Sequence, residues 1–230
     1  RTLQLTASRV LMDQVEGSGL VTMVGKVNMD RNSPDNIREA SSAGSLIEAR
    51  TWVDLTLSRY ANKTPILTPR FIPSCSDELM SGLAQLQQEF NLPVQSHLSE
   101  NQSEIAWVQD LCPTAKNYAD AYNQFKLFGK DAPTIMAHCV WCDQNERELM
   151  AKNGVYVAHC PQSNTNLSSG IAPVRRYLNE GISVGLGSDV AGGCHPSIFR
   201  AMADAIQVSK LRWRLIDQED APLTVAEAFY

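Results

Sequence analysis

Short apolar runs alternate with longer amphipathic stretches along this chain of 230 residues, and this alternation constrains its fold more than any other feature. Apolar runs of about four to eight residues are typical of buried strands, whereas amphipathic stretches of about ten or more are typical of helices. Strands that alternate with helices pair in parallel through right-handed crossovers, so the sequence predicts an α/β fold. The predicted strands are residues 21–25, 65–68, 93–97, 134–138, 155–159 and 182–187.

The stretches between these runs carry the boundary signals of helices. Ser76 precedes two acidic residues and is predicted to cap a helix over 76–91, and Thr224 with Glu227 forms the pattern of a capping box. A barrel that lacks some of its eight strands and an open doubly wound sheet both fit the alternation, and the pattern does not choose between them. The other predicted helices are 45–60, 101–111, 115–128, 143–153, 172–180 and 197–209.

Both ends of the chain fall inside helical patterns. The sequence starts without Met in a stretch that contains Leu3, Leu5 and Val10, and it stops at Tyr230, about one turn after Thr224. Because a domain rarely stops one turn into a helix, we expect this sequence to be part of a larger chain.

The composition excludes several classes of function. The formal net charge of -5 argues against a nucleic-acid partner, because phosphate binding needs a basic face. No apolar run approaches the roughly 20 residues that cross a membrane. The six cysteines are scattered through apolar segments, which indicates reduced thiols and a cytoplasmic location. Cys139 and Cys142 form one C-x-x-C pair, for which buried thiols are a better interpretation than a redox or zinc pair.

Metal-binding side chains stand where predicted strands end. His97, His138 and His159 each close a strand, and Asp189 follows the strand at 182–187. A single strand-end histidine is more often structural, but three of the four histidines in that position, together with an aspartate, favour a site. The carboxyl ends of parallel barrel strands converge on one face, where active sites lie. Imidazole and carboxylate ligands suit zinc or a similar divalent ion.

Two further residues have side chains suited to catalysis or binding. Glu100 follows His97 by three positions and could move a proton from a metal-activated water to a leaving group. Its alternative role is to cap the helix that starts near Asn101. Arg70 ends another strand and offers fixed donors to a planar, acceptor-rich ligand, with a surface salt bridge as the alternative.

These residues lie in motifs that resemble the guanine deaminases of the amidohydrolase superfamily. The resemblance is collinear through most of the chain, and Val24-Gly-Lys-Val-Asn-Met-Asp30 also fits it. The other motifs are Leu67-Thr-Pro-Arg-Phe71, Gln95-Ser-His-Leu-Ser-Glu-Asn101, Met136-Ala-His138, Ala158-His-Cys-Pro-Gln-Ser-Asn164, Leu167-Ser-Ser-Gly170 and Gly185-Leu-Gly-Ser-Asp-Val-Ala-Gly-Gly193.

The resemblance implies a metal-dependent (β/α)8 TIM barrel that hydrolyses guanine to xanthine and ammonia in purine catabolism. Residues 1–230 would form one partial barrel domain, about strands three to eight, without the flanking β-sandwich. It also implies a zinc cofactor, a small purine as substrate and a homodimer at full length.

The resemblance further implies roles for single residues. His97 and Asp189 would bind zinc, and Asp189 would also take the proton of the attacking water. Glu100 would protonate the purine ring and then the departing amine. His138 would hold the nucleophilic hydroxide or polarise the site rather than bind zinc. Four residues would contact the substrate: Arg70 on the carbonyl oxygen, Phe71, His97 and Asp189. His159 matches a motif position without a direct chemical role.

One departure from the family concerns the metal. The family carries a His-x-His pair on its first strand, and no two histidines here lie two residues apart. The resemblance places that pair upstream of Arg1, so we expect weak, partial or absent zinc in this chain alone. Two alternatives stay open: another ring-nitrogen aminohydrolase of the triazine, cytosine or adenosine type, or a catalytically inactive purine-binding or scaffold protein.

Overall fold

A computed structural model describes residues 5–61 and 63–230 of the chain. Helices and strands alternate along it, which confirms the predicted α/β class. The predicted helical start at Leu3 lies outside the described residues. The elements are α1 (Leu5–Glu16), β1 (Thr22–Val24), β2 (Val27–Asn28), α2 (Ser42–Arg59), β3 (Lys63–Pro65), β4 (Thr68–Pro69), α3 (Asp77–Phe90), β5 (Val94–Leu98), α4 (Gln102–Leu111), α5 (Tyr118–Gln124), β6 (Thr134–His138), α6 (Gln144–Asn153), β7 (Tyr156–His159), α7 (Pro161–Asn166), α8 (Val174–Asn179), β8 (Val184–Leu186), α9 (Ile198–Leu215) and α10 (Val225–Phe229).

The strands pair in parallel, as the alternation predicts. β1 pairs with β3 and β2 with β4, while β5, β6, β7 and β8 form a sheet in that order. In this sheet Ala137 lies opposite Ala158, and Ala158 lies opposite Gly185. The register therefore aligns the ends of β6 and β7, where His138 and His159 stand.

The predicted strand at 65–68 is divided in the structure between β3 and β4, and β2 was not predicted. Gly25, between β1 and β2, explains how these short strands fit. A Cβ at Gly25 would lie 1.9 Å from the Thr68 hydroxyl and 2.4 Å from the Ile66 carbonyl oxygen, so the chain passes directly against its neighbour. Strands of two or three residues are too short to show an apolar period.

The chain divides into two compact units, which are described separately. The first comprises Arg1–Ser96 and Tyr122–Thr134, and the second comprises His97–Ala121 and Ile135–Tyr230. The single barrel domain over residues 1–230 stays a prediction.

A buried cluster between α1, β1 and α2 holds part of the first unit together. Met12, Val24, Trp52 and Tyr60 pack there, and each is at most 6% exposed. The indole nitrogen of Trp52 donates a hydrogen bond to the Val24 carbonyl at 2.9 Å, so the largest apolar side chain is buried without an unpaired donor.

In the second unit, apolar side chains of α8, α9 and the loops beside them cover β8. The buried members of this cluster are Val140, Ala172, Val174, Ala205 and Leu223, with Val184 and Leu186 of β8 packed against them. This packing supports the sheet just before the chain reaches Asp189.

The predicted helix caps are confirmed. Ser76 accepts a hydrogen bond from the Leu79 amide, and Thr224 and Glu227 form the predicted capping box. The structure adds α7, which was not predicted because six mostly polar residues carry no helical period.

None of the six cysteines, all of which lie in the described part of the chain, forms a disulfide bond, as predicted. Cys139 and Cys142 are both buried, and burial beside Cys142 raises the pKa of the Cys139 thiol well above its usual value. The predicted burial of both thiols is confirmed. A protonated buried thiol is a poor metal ligand or nucleophile, which favours the interpretation of Cys139 as a packing residue. No helix within 5–61 or 63–230 is long and apolar enough to cross a membrane.

Candidate functional site

Four of the predicted site residues lie together in the second unit. His97 is on β5, and His138 is the last residue of β6. Their rings stack with centroids 5.3 Å apart and planes 12° apart. The Nε2 atom of His138 lies 3.6 Å from Oε2 of Glu100 and 4.0 Å from Oδ2 of Asp189. The structure thus brings together two imidazoles and two carboxylates, although their chemical roles stay predictions.

His138 is oriented by an amide. Its Nδ1 atom lies 2.8 Å from Oδ1 of Asn164, and the ring is 1% exposed. With Oδ1 as acceptor, Nδ1 carries the proton and Nε2 is turned toward Glu100 and Asp189. The separations from Nε2 to the two carboxylates exceed a direct hydrogen bond and match the span that a bridging water or a cation can fill.

One short segment, residues 161–169, forms hydrogen bonds with the side chains of Glu100, His138 and Asp189. We call it the support segment. The Ser163 hydroxyl donates to Oδ2 of Asp189 at 2.7 Å, and the Ser169 hydroxyl donates to Oε1 of Glu100 at 2.9 Å. Asn164, between them, fixes His138. Sequence reasoning missed all three supporting residues, although the motif Ala158–Asn164 contained two of them.

Four residues around the site have left-handed backbone conformations without being glycine. The φ angles are 46° at Ser99, 73° at His138, 50° at Cys139 and 44° at Asp189. Such conformations cost on the order of 1 kcal/mol each and persist where surrounding contacts enforce them, often at functional sites. One enforcing contact is the hydroxyl of Tyr177, which donates to the Cys139 carbonyl.

Glu100 does not cap α4. The N-cap is Asn101, whose side chain accepts from the Glu104 amide at 2.9 Å. The capping alternative for Glu100 is therefore wrong. The Glu100 carboxylate is directed to Ser169 and His138 and keeps 16% of its side chain exposed, so solvent or a ligand can reach it.

His159 is buried beside this site. It is 1% exposed, and neither ring nitrogen has a hydrogen-bond partner among residues 5–61 and 63–230. Burial, with a smaller contribution from the charge of His138, lowers the pKa of His159 to about 4. The ring is therefore neutral at pH 7.

The buried neutral ring of His159 makes the protein sensitive to acid. The ordinary pKa is about 6.5, so below that pH the unfolded chain takes up a proton that the folded chain refuses until about pH 4. The free energy of unfolding should fall as pH drops through this window, by about 2 kcal/mol at pH 5.

Urea unfolding at pH 7.5 and pH 5.0 measures this loss. In His159→Phe the pH-dependent loss should shrink by about 2 kcal/mol, whereas the exposed control His195→Gln should keep it. Equal losses in the wild type and His159→Phe would show that His159 is not the responsible group.

Arg70 and Phe71 belong to the first unit and directly follow β4. The guanidinium carbon of Arg70 lies 5.1 Å from the centroid of the Phe71 ring, and both side chains are half-buried. The planar guanidinium group carries its N–H donors along its edge, which is the geometry that recognises a planar acceptor. Ligand binding by Arg70 and its alternative, a surface salt bridge, both stay predictions.

The metal-binding capacity of the described residues is partial. Within 5–61 and 63–230, no three His, Cys, Asp or Glu side chains are arranged to hold a metal ion. The imidazole of His97 and the carboxylate of Asp189 fit zinc in chemical type, but catalytic zinc sites have about three protein ligands. These two side chains therefore fit the ion in type and would supply only part of its ligand set.

Comparison with solved structures shows the fold. Guanine deaminase from C. acetobutylicum with bound guanine matches with a TM-score of 0.94 at 45% identity, over 100% of this chain and 54% of that chain. An adenosine deaminase from Xanthomonas campestris with bound zinc has a TM-score of 0.82 at 20% identity, over 96% of this chain and 48% of that one. These matches confirm a part of the TIM-barrel fold of the amidohydrolases.

Sequence comparison gives the family. The amidohydrolase family model matches residues 2–230. Guanine deaminase from Dictyostelium discoideum is 42% identical over 230 residues, which are 100% of this chain and 50% of that relative. The chain spans about half the length of the curated relatives it matches, and the predicted resemblance to guanine deaminases is confirmed. The chain belongs to the amidohydrolase family.

Proposed function

We propose that this chain supplies proton-transfer groups and part of the metal site of an enzyme that hydrolyses guanine to xanthine and ammonia. The observation that carries the proposal is the placement of His138 Nε2 between the carboxylates of Glu100 and Asp189. The similarity to proteins named guanine deaminase, such as the one from Dictyostelium discoideum at 42% identity, supports guanine among ring-nitrogen substrates.

The reaction requires two proton transfers to the substrate. The oxygen of water bonds to the ring carbon that bears the amine, the adjacent ring nitrogen gains a proton, and the carbon–amine bond then breaks as the amine gains another. Asp189 accepts a proton from the attacking water. Glu100 delivers its own proton to the ring nitrogen, takes up the proton of the bound hydroxyl as the carbonyl forms, and passes that proton to the leaving amine, which departs as ammonia. The proton held by Asp189 then returns Glu100 to its starting form.

The surroundings of Glu100 suit a proton carrier. Ser169 donates to one carboxylate oxygen, which fixes the group, while the other oxygen lies toward His138. Zinc bound by His97, Asp189 and further ligands would lower the pKa of water toward about 7. His138, fixed by Asn164, orients the water for attack.

We propose that Arg70 and Phe71 recognise the purine. Arg70 donates hydrogen bonds to the carbonyl oxygen, and the Phe71 ring packs on the aromatic plane. His97 and Asp189 contact the substrate at its reacting end. The half-burial of Arg70 and Phe71 and their stacking support this assignment.

The proposed function is tested with the complete gene product that contains this sequence. We expect the purified, zinc-loaded protein to release ammonia from guanine faster than from cytosine, adenosine or an aminotriazine. A folded, zinc-bound protein without turnover of guanine would refute the proposal. Binding of guanine without turnover would instead support the inactive purine-binding alternative.

Arg70→Ala should weaken guanine binding more than it slows the chemical step. Loss of a charge-assisted hydrogen bond costs about 1.5–3 kcal/mol, so the KM for guanine should rise by about tenfold to 100-fold. Steady-state kinetics with guanine measures the effect, and the exposed Arg38→Ala is the control. An unchanged KM would favour an aminohydrolase with another substrate.

Ser169→Ala should lower kcat because Glu100 loses the donor that fixes its carboxylate. Loss of such supporting contacts costs about tenfold to 100-fold in activity, so we expect a kcat about tenfold lower. Ser168→Ala is the matched control, since Ser168 is the exposed neighbour. Equal kcat values for the two variants would remove Ser169 from the mechanism.

The wider setting of the enzyme is also part of the proposal. We infer zinc as the metal, a place in purine catabolism, a homodimer and a cytoplasmic location. Zinc is supported by the ligand types of His97 and Asp189, and a reducing compartment is supported by six described cysteines that form no disulfide bond. Metal analysis and sedimentation of the complete gene product test the metal and the dimer.

A further inference from the structure

The loop after β4 carries Arg70 and Phe71 and is fixed from outside by another part of the first unit. We call residues 70–76 the recognition loop. Its centre is a 3-10 turn, Ile72–Ser74, whose residues are buried. A turn this short satisfies few of its own carbonyl groups, so its conformation depends on donors from elsewhere.

The donors come from residues 30–32, which are the last residue of the motif Val24–Asp30 and the two residues after it. Nη2 of Arg31 donates to the Ile72 carbonyl at 3.1 Å, and Nδ2 of Asn32 donates to the Pro73 carbonyl at 2.8 Å. We call residues 30–32, Asp-Arg-Asn, the brace.

The backbone of the brace holds the third carbonyl of the turn. The amides of Asp30 and Arg31 donate to the Ser74 carbonyl at 3.0 and 3.2 Å. Every carbonyl of the 3-10 turn thus accepts a hydrogen bond from the brace. The turn cannot rearrange without leaving buried acceptors unpaired.

Both ends of the recognition loop are also anchored. The Arg70 amide donates to the Asn28 carbonyl at 3.0 Å, just before the brace. At the other end, the Asp30 carboxylate accepts from the amide and the hydroxyl of Ser76, which is the N-cap of α3. Asp30 therefore links the loop to the start of a helix.

We propose that the brace positions Arg70 and Phe71 for purine binding and so determines selectivity for the purine carbonyl. This inference rests on the proposed function, because it assigns Arg70 to the substrate. The brace residues act through the recognition loop and are positioning residues.

Asn32→Asp in the complete gene product tests the brace. The side chain keeps its size, and aspartate tolerates the left-handed backbone of Asn32, whose φ is 46°. The carboxylate, however, cannot donate to the Pro73 carbonyl. We expect the guanine KM to rise about tenfold with kcat changed less than about twofold. Asn36→Asp, an exposed change of the same charge, should leave both constants unchanged.

The preference of the enzyme for guanine over 2-aminopurine is a second measurement. A loss of protein stability alone would not change this preference. 2-Aminopurine lacks the carbonyl oxygen assigned to Arg70, so its inhibition constant should change little in Asn32→Asp. The preference for guanine over 2-aminopurine should fall about tenfold. When Asn32→Asp is added to Arg70→Ala, the preference for guanine should fall little further, because the effects of residues in one network are not additive.

Hydrogen exchange separates failure of the brace from failure of the proposed function. The amides of Ser74 and Cys75, bonded within the turn, should exchange faster in Asn32→Asp than in Asn36→Asp. If the wild type does not deaminate guanine, the proposed function fails, and the exchange result still tests the brace. Unchanged exchange, or faster exchange with unchanged guanine selectivity in an active enzyme, would overturn the inference.

Discussion

Glu100→Gln should lower kcat for guanine by about 10³-fold with little change in KM, because it removes the proton carrier and keeps the side-chain shape. The amide oxygen of glutamine can still accept the hydrogen bond from Ser169. The loss should therefore fall on proton transfer rather than on folding or binding. Ammonia release under saturating guanine measures it.

Glu148→Gln is the matched control for this substitution. Glu148 is an exposed residue of α6, and its change should leave kcat within about twofold. A Glu100→Gln enzyme that retains more than about a tenth of wild-type kcat would show that another group carries the proton.

Asp189→Asn should give the second large effect, since it removes a proposed zinc ligand and the proposed acceptor of the water proton together. We expect kcat to fall by about 10³-fold and zinc affinity to fall by more than the roughly tenfold to 100-fold that loss of a contact supporting a ligand costs. Asparagine can still accept the hydrogen bond from Ser163, so the loop should keep its position. Zinc content by atomic emission and ammonia release measure the two effects separately.

The exposed Asp110→Asn on α4 controls for the loss of one negative charge. Full zinc content together with a normal rate in Asp189→Asn would contradict both proposed roles. Full zinc content with a low rate would keep the role in proton transfer and remove the role as ligand.

The sequence allowed prediction of those parts of the fold in which local patterns carry the information. The apolar run at 134–138 coincides with β6, and the caps at Ser76 and Thr224 lie where their side chains indicated. β2 has two residues and is defined by pairing with β4, which no local pattern records.

In the site, too, residues with a local sequence pattern could be predicted, whereas contacts between distant segments could not. Histidine and acidic residues at strand ends are uncommon enough to be noticed, and the structure brings His97, Glu100, His138 and Asp189 together. Ser169 lies in the motif Leu167–Gly170, but serine is common in every loop, so the motif did not indicate a role for its hydroxyl group. Its bond to Glu100 spans 69 residues and depends on the complete fold.

The separate supports of the two sets of functional residues have a consequence for how such an enzyme could diversify. Glu100, His138 and Asp189 are held by the support segment, whereas the loop with Arg70 is held by the brace. Neither support includes a residue of the other. Substitutions in the brace or the recognition loop could therefore shift substrate preference while the hydrolytic groups keep their geometry. The same hydrolytic groups could then act on a different ring compound.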